Sequence, residues 1–392
     1  MKSIEDNLNL YEKKILLRLD LNVPLENGNI TDTTRIDKII PTINFLLKKN
    51  SKIIIISHVG RPNGKVVNKL SLKPICEDIK KKINIDIRLI SKDIKKLKPN
   101  DLFKNNDEKI LMLENIRFYE EEEKNDTGFA KHISNLGDIF VNEAFSCSHR
   151  AHSSIHKIPK FLPSYSGLQL NIEINALKRL TSDIKKPITC IIGGSKISTK
   201  INIIKNLIYK FDNIIIVGGM ANNILEYEGF EIGNSIRDKN CKKIIKEILT
   251  LSKKKKCKII YPEDVLVGKN INDIPKIKLL KEINHDDMIL DIGTKTINLI
   301  KKTIKKSKTV LWNGPAGYFE NSDFAKGSYE IGREIAKNTI QKKLYSVIGG
   351  GDTISVIKKI NLFNSYNFVS TAGGAFLEYL EGKDLPGIKA LN

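Results

Sequence analysis

Short apolar runs of four or five residues alternate with amphipathic stretches of helical period along the whole chain. In the first half these runs are Ile15–Leu19, Ile53–Ile56, Ile110–Leu113 and Ile139–Val141. Ile188–Ile192, Ile214–Val217, Val310–Trp312, Tyr345–Ile348 and Phe368–Val369 follow in the second. Runs this short, bounded by turn residues, suit strands buried on both faces, and the helical segments between them supply the crossovers that parallel strands require. The expected fold class is α/β, with doubly wound, Rossmann-like parallel sheets. A chain of 392 residues exceeds what one core serves, so two domains are expected, over 1–170 and 187–376. Asn171–Leu180 reads as an amphipathic helix and Pro187 marks the next boundary, so 171–186 is expected to be a stiff connector with hinge points at its ends. The segment 377–392 is expected to return and pack on the first domain. No internal repeat or low-complexity linker interrupts the pattern.

In open α/β sheets ligands lie beyond the carboxyl ends of the strands. The residues after each run therefore carry the functional expectation, and the two halves differ there. The first-half ends are Asp20-Leu21-Asn22-Val23-Pro24 with Arg35 beyond, Ser57-His58-Val59-Gly60-Arg61-Pro62, Glu114-Asn115-Ile116-Arg117-Phe118, and Asn142 to His152 with Arg150. Arginine holds carboxylate or phosphate through a planar, permanently charged fork. At about 4 Å and an effective dielectric near 20, each such pair contributes roughly 4 kcal/mol before desolvation. Any one arginine commonly pairs with a neighbouring carboxylate; one at each successive strand end suits a small, highly anionic ligand. Asp20 and Asn22 can hold a hydroxyl between them. Among the histidines His58, beside Gly60 and Arg61, is the best placed, whereas His132, His156 and His285 read as structural or exposed.

The second-half ends are rich in glycine: Gly193-Gly194-Ser195-Lys196-Ile197-Ser198-Thr199-Lys200, Gly218-Gly219, Asn313 to Glu320, Gly349-Gly350-Gly351-Asp352-Thr353, and Ser370-Thr371-Ala372-Gly373-Gly374. A single glycine pair at a strand-to-helix turn commonly reflects only local backbone needs. Five clusters at five strand ends suit backbone cradling of phosphates at helix starts, with Lys196 and Lys200 adding charge. Asp352 is placed to hold Mg²⁺ on a nucleotide phosphate, since magnesium takes one or two protein carboxylates together with phosphate oxygens. The spacing excludes a GxxxxGK[ST] loop, a GxGxxG dinucleotide fingerprint, and the HRD and DFG motifs of protein kinases.

Composition adds little. The five cysteines (Cys76, Cys147, Cys190, Cys241, Cys257) show no CxxC pair, so reduced thiols are expected, with Cys147 the one in a motif-rich loop. A net charge of +21 raises the alternative of an anion- or RNA-binding protein that keeps the fold with weak or no turnover. The runs Lys80–Lys82 and Lys253–Lys256 lack interleaved aromatics, however, and read as solvated helix faces. No apolar stretch approaches a membrane span and no leader is evident, so a cytoplasmic location is expected, with no membrane partner.

Seven motifs in order, Arg18–Pro24, Ser57–Pro62, Leu113–Phe118, His149–His152, Gly193–Lys200, Trp312–Gly317 and Gly349–Thr353, resemble those of the phosphoglycerate kinases, along essentially the whole chain. The form Gly-Gly-Ser-Lys-x-Ser-Thr-Lys resembles a bacterial branch of that family. The resemblance implies reversible, Mg-dependent phosphoryl transfer between 1,3-bisphosphoglycerate with ADP and 3-phosphoglycerate with ATP, by a monomer. It implies phosphoglycerate binding at Asp20, Leu21, Asn22, Arg35, His58, Val59, Gly60, Arg61, Arg117 and Arg150. It implies nucleotide binding at Lys200, Gly219, Glu320, Gly350, Gly351, Asp352 and Thr353, with the metal on Asp352. Catalytic roles fall to Arg35, Lys196, Lys200, Gly350 and Gly373. Three departures stand out: Glu143 where aspartate is usual, Ser146-Cys147 where Gly-Thr is common, and Ala372 where the family carries the first of three glycines. The first two are expected to be tolerated. A Cβ at 372 restricts φ, and slower turnover is the expected consequence.

Overall fold

Ile53, Ile54, Ile55 and Ile56 have no exposed surface on either face of their strand, the burial that a parallel sheet covered by helices imposes. In the computed structural model, which describes residues 1–6, 9–105 and 107–392, this strand sits inside the first of two compact units. That unit comprises Met1–Asn175 and Asp384–Asn392; the second comprises Ala176–Lys383.

The first unit contains β1 (Lys14–Leu19), β2 (Leu25–Glu26), β3 (Asn29–Ile30), β4 (Lys52–Ile56), β5 (Ile87–Ile90), β6 (Ile110–Leu113), β7 (Ile139–Glu143) and β8 (Ser164–Ser166). Six of these form one sheet in the order β5-β6-β4-β1-β7-β8, parallel at every neighbouring pair. β2 and β3 make a small antiparallel hairpin. The helices α1 (Thr34–Lys48), α2 (Lys73–Ile83), α3 (Glu120–Glu123) and α4 (Thr127–Ser134) lie in this unit. In α1 the buried Ile36, Ile39, Ile43 and Leu46 recur every three or four residues, giving the apolar stripe that docks a helix on a sheet.

The next helix, α5 (Leu168–Thr181), contains the division between the units, which falls after Asn175. The second unit contains β9 (Ile188–Ile192), β10 (Asn213–Ile216), β11 (Lys258–Ile260), β12 (Asp264–Gly268), β13 (Lys276–Leu279), β14 (Met288–Ile292), β15 (Thr309–Asn313), β16 (Tyr345–Gly349) and β17 (Phe368–Ser370). Its main sheet, β11-β10-β9-β15-β16-β17, is also parallel throughout. Its helices are α6 (Ile201–Ile208), α7 (Gly219–Tyr227), α8 (Lys242–Lys255), α9 (Thr294–Lys306), α10 (Lys326–Ile340), α11 (Gly351–Lys359) and α12 (Gly374–Leu380). The core gathers around Trp312 with Ile331, Ile335 and Ile348.

The α/β class with two parallel sheets is as expected, and the observed strands contain the expected runs except that β10 ends one residue short of Val217. Three strands of the parallel sheets, β5, β8 and β11, were not anticipated. The larger omission is an antiparallel sheet, β13-β12-β14, with its own cluster of Leu225, Ile232, Val265, Val267, Leu280 and Ile283. The return to the first unit begins at Asp384, not at 377. α12 stays with the second unit, where Asn206 Nδ2 donates to Leu380 O at 2.5 Å. The final helix, α13 (Pro386–Lys389), belongs to the first: Gly387 N–H donates to Ser148 O at 2.9 Å. A Cβ at Gly387 would press on Ile155 and Ser148.

Candidate active site

Strands β6, β4, β1 and β7 are neighbours in that order, so parallel pairing brings their four carboxyl-end loops to one sheet edge. These are the loops carrying Arg117, His58 to Arg61, Asp20 to Asn22, and Arg150, with Arg35 in the first turn of α1. Asn22 Oδ1 accepts from Gly60 N–H at 2.9 Å, and Arg117 Nη1 donates to Gly60 O at 3.1 Å. Asn115 Nδ2 donates to Val59 O at 2.8 Å and to Leu70 O at 2.9 Å. The His58–Arg61 turn is thus held from three sides. Arg35 Nη1 donates to Asp20 Oδ1 and to Asn22 O, each at 3.0 Å. Arg150 Nε donates to His149 Nε2 at 3.3 Å. Arg61 is exposed, whereas Leu21 and Val59 are buried, so those two can offer a ligand only backbone.

Sequence reasoning missed Arg18 as a site residue. It is wholly buried, and its Nη2 donates to His58 Nδ1 at 3.2 Å and its Nε to Ser154 Oγ at 2.9 Å. The available signal was a charge inside an otherwise apolar run. Because arginine only donates, His58 Nδ1 accepts and its proton resides on Nε2. Burial, then Arg18 and Arg117, hold the His58 imidazolium well below its ordinary value. His152 is pushed down to about 3 by burial and by Arg117, Arg18 and Arg150. Cys147 Sγ lies 4.0 Å from His58 Nδ1 and is buried, as are the other four cysteines, all of them free thiols. Glu143 accepts from Gln169 N–H at 2.9 Å and Leu170 N–H at 2.8 Å, and from the Thr42 hydroxyl. It caps the start of α5, and burial raises its carboxyl to about 7.

In the second unit the five glycine-bearing loops follow β9, β10, β15, β16 and β17, five of the six strands of one parallel sheet. The backbones of Gly193 and Gly314 cross too closely for side chains: a Cβ on Gly314, which has φ +105°, would strike Gly193. Gly219 opens α7 and Gly351 opens α11, each after a glycine of positive φ, Gly218 at +66° and Gly350 at +94°. Amide-bearing helix starts of this kind attract anions. Lys200 Nζ donates to Gly193 O at 2.6 Å and to Asn313 Oδ1 at 2.7 Å; burial lowers its ammonium to about 8. Lys196 and Asp352 are exposed, and Thr353 is buried with its Oγ1 accepting from Gly314 N–H at 2.7 Å.

A cavity of about 610 Å³ lies at this edge, and its lining includes Gly194, Ser195, Gly219, Glu320 and Asp352 among the glycine loops. The opposite wall comes from the antiparallel sheet, through Val265, Met288 and Ile289. Asp291 also lines it, accepting from Gly327 N–H at 2.7 Å and Ile292 N–H at 2.8 Å, with burial raising its carboxyl to about 7. Such size and mixed lining suit a nucleotide. Among the described residues no three His, Cys, Asp or Glu cluster to hold a metal unaided; a magnesium ion carried by phosphates needs only one carboxylate, and Asp352 fits that role. At Ala372 it is the backbone argument that changes. Its φ is not positive, and the left-handed residue of that loop is Gly373 at +56°, so Ala372 is not asked for a conformation that favours glycine.

The chain matches the family model for phosphoglycerate kinase over residues 5–383. It is 43% identical over 387 residues to the phosphoglycerate kinase of Wolbachia pipientis from Culex pipiens, covering 98% of each chain. It is 44% identical over 383 residues to that of Orientia tsutsugamushi, covering 97% of this chain and 94% of the other. The phosphoglycerate kinase structure from Coxiella burnetii superposes with a TM-score of 0.91 at 36% identity, covering 99% of this chain and 98% of that one. Nothing supports the alternative of an anion- or RNA-binding protein without turnover. With two parallel sheets whose edges bear arginine loops and glycine loops, and with this agreement along its length, the chain belongs to the phosphoglycerate kinase family, phosphotransferases with a carboxyl acceptor.

Proposed function

We propose that the first unit holds 3-phosphoglycerate or 1,3-bisphosphoglycerate and the second holds MgATP or MgADP. Asp20 and Asn22 take the substrate hydroxyl, and Arg35, Arg61, Arg117 and Arg150 take its anionic ends, with the His58–Gly60 turn and the Leu21 backbone shaping the floor. Lys200, Gly219, Glu320 and Gly350–Thr353 hold the nucleotide. Asp352 ligates Mg²⁺, which when bound neutralises phosphate charge. In the ATP-consuming direction a carboxylate oxygen of 3-phosphoglycerate attacks the γ-phosphorus, and the bond from that phosphorus to the leaving ADP oxygen breaks. Arg35 and Lys196 stabilise the charge on the transferring group, and Gly350 and Gly373 keep backbone close to it. This chemistry demands in-line positioning, charge neutralisation and exclusion of water.

The observation that supports this assignment most directly is the contrast between the two sheet edges, arginine loops on neighbouring strands of one and glycine loops around a nucleotide-sized cavity on the other. Bringing two bound substrates together calls for a hinge motion around α5, completed when both are present. The protein acts as a monomer in the cytoplasm, and no helix among the described residues is long and apolar enough to cross a membrane. A spectrophotometric assay with 3-phosphoglycerate and MgATP tests the reading. Turnover is expected, with Lys200→Ala and Arg35→Ala each lowering it by about two orders of magnitude or more; absence of turnover, or near-normal rates in both variants, overturns it.

A further inference from the structure

The second unit carries another hollow, of about 590 Å³, at the opposite edge of its main sheet. It is framed by the amino ends of β15 and β16, at Thr309 and Tyr345, and by Asn367 just before β17. A five-residue strand spans roughly 16 Å, so this hollow is separated from the glycine loops by the length of the strands. Five of its eleven lining residues are cationic, Arg179, Lys185, Lys308, Lys342 and Lys343, against one carboxylate, Asp183. Across the chain, lysine and arginine make up 66 of 392 residues, so cations are concentrated here well beyond the general surplus. These five come from three separate places: the end of α5 with the segment leading to β9, the approach to β15, and the turn between α10 and β16. No two of them are chain neighbours except Lys342 and Lys343, so the clustering is made by the fold and was not legible in the sequence.

None of the five forms an ion pair with a carboxylate among the described residues. Arg179 instead lies over the Tyr345 ring, 4.6 Å from its centroid, which holds its planar fork in place. Tyr345 is the one aromatic residue lining the hollow, and with Arg179 stacked on it the site offers point charges and a guanidinium but little for a base to stack on. A concavity lined by one sign of charge focuses its field and concentrates counter-ions. We propose that this hollow is a second ligand site, for a small anion carrying two or more linked phosphates, recognised through its phosphate chain. Occupancy would join the end of α5 to the sheet of its own unit.

The test uses tripolyphosphate as the probe and isothermal titration calorimetry on the full chain without magnesium or nucleotide. Tripolyphosphate can also enter the nucleotide site, so two variants separate the two. Lys308→Glu with Lys342→Glu should weaken one class of binding by about tenfold or more, the combined effect of two exposed ion pairs lost and reversed. Lys200→Ala should leave that class in place. Orthophosphate at equal ionic strength should bind there at least about tenfold more weakly, and ATP no more tightly than tripolyphosphate, if the linked phosphates supply the affinity. Both lysines of the double variant are exposed, so its fold should survive. As an independent reading in the wild-type protein, tripolyphosphate should slow amide exchange over residues 179–185 and 339–345. Wild-type affinity in the double variant, or slowed exchange confined to residues 193–200 and 350–353, overturns the proposal.

Discussion

Lys200 should bind a proton when the nucleotide arrives. Its Nζ is buried against Gly193 O and Asn313 Oδ1, and neither partner is an anion. Burial therefore outweighs the pull of Cys190 and Asp352, and the ammonium titrates at about 8 in place of 10.5. In the free protein at pH 8 about half the molecules carry a neutral Lys200. A phosphate placed beside Nζ restores the charge, so binding should take up about 0.1 proton at pH 7, about 0.5 at pH 8 and about 0.9 at pH 9. The same linkage should weaken nucleotide affinity about tenfold, or about 1.4 kcal/mol, between pH 7 and pH 9. Stability moves the other way. The folded value lies below the unfolded one, so without ligand the protein gains stability as pH rises from about 8 to 10.5, by up to about 3 kcal/mol.

The measurement is calorimetry of MgADP binding at pH 8 in two buffers of different ionisation heat, repeated with Lys200→Met. Phosphate protons titrate near pH 6 and contribute little there. A buffer-independent enthalpy at pH 8, or equal uptake in Lys200→Met, would refute both the depressed value and the placement of phosphate beside Nζ.

Three further outcomes are expected. Glu143 has a folded value of about 7, above its ordinary 4.5, so its contribution to stability is lost as pH rises through that window, by up to about 3 kcal/mol. Denaturant titrations at pH 5 and pH 8 should show a smaller difference in Glu143→Gln than in wild type, and an unchanged difference counts against the assignment. Gly373→Ala forces a Cβ onto a residue at φ +56° and should cost about 1 kcal/mol of stability with loss of turnover, whereas Ala372→Gly should change turnover less than about twofold; the reverse ranking in a steady-state assay contradicts the reading of this loop. Small-angle scattering should show compaction only with 3-phosphoglycerate and nucleotide together, and an unchanged radius of gyration with both bound would remove the hinge from the mechanism.

What the sequence revealed of this molecule obeyed physical rules of short range. Fully buried parallel strands leave apolar runs that are hard to mistake, and Ile53–Ile56 and Ile188–Ile192 appear as read. The ligand loops were legible because parallel pairing puts every strand's carboxyl end on one edge, so order along the chain becomes proximity in space. Of the strands β12 to β14, which escaped, Lys276–Leu279 is short, largely exposed and carries two lysines among its four residues, while Val265-Leu266-Val267 and Met288-Ile289-Leu290 are apolar runs of only three residues, each bounded by an aspartate within its strand. With them went Val265, Met288 and Ile289 of the nucleotide-sized cavity. The backbone at Ala372 was misjudged for a different reason. A glycine count says how many residues are free to take positive φ, and only the backbone shows that Gly373 is the one that does.

The arginines that suit the first unit to anions also limit what its histidines can do. Arg18 Nη2 donates into His58 Nδ1, and burial with Arg18 and Arg117 suppresses the imidazolium. His152, at about 3, is neutral as well. Neither is an effective general base near neutral pH: His58 Nδ1 is occupied by Arg18, and an imidazole whose cation is this strongly suppressed takes up a proton poorly. Glu143 does titrate near 7, but its carboxylate is turned onto the amides of Gln169 and Leu170. For most phosphoryl acceptors, whose hydroxyl must lose a proton, this would be a serious deficit. A carboxyl acceptor ionises at about 3.5 and attacks without a base. Asp20, placed at the substrate hydroxyl, accepts from Arg35 Nη1 at 3.0 Å; with that carboxylate engaged, a site dominated by permanent positive charge and neutral imidazole suits an acceptor that arrives already ionised. The lack of a poised base among His58, His152 and Glu143 thus favours the substrate whose nucleophile is already charged.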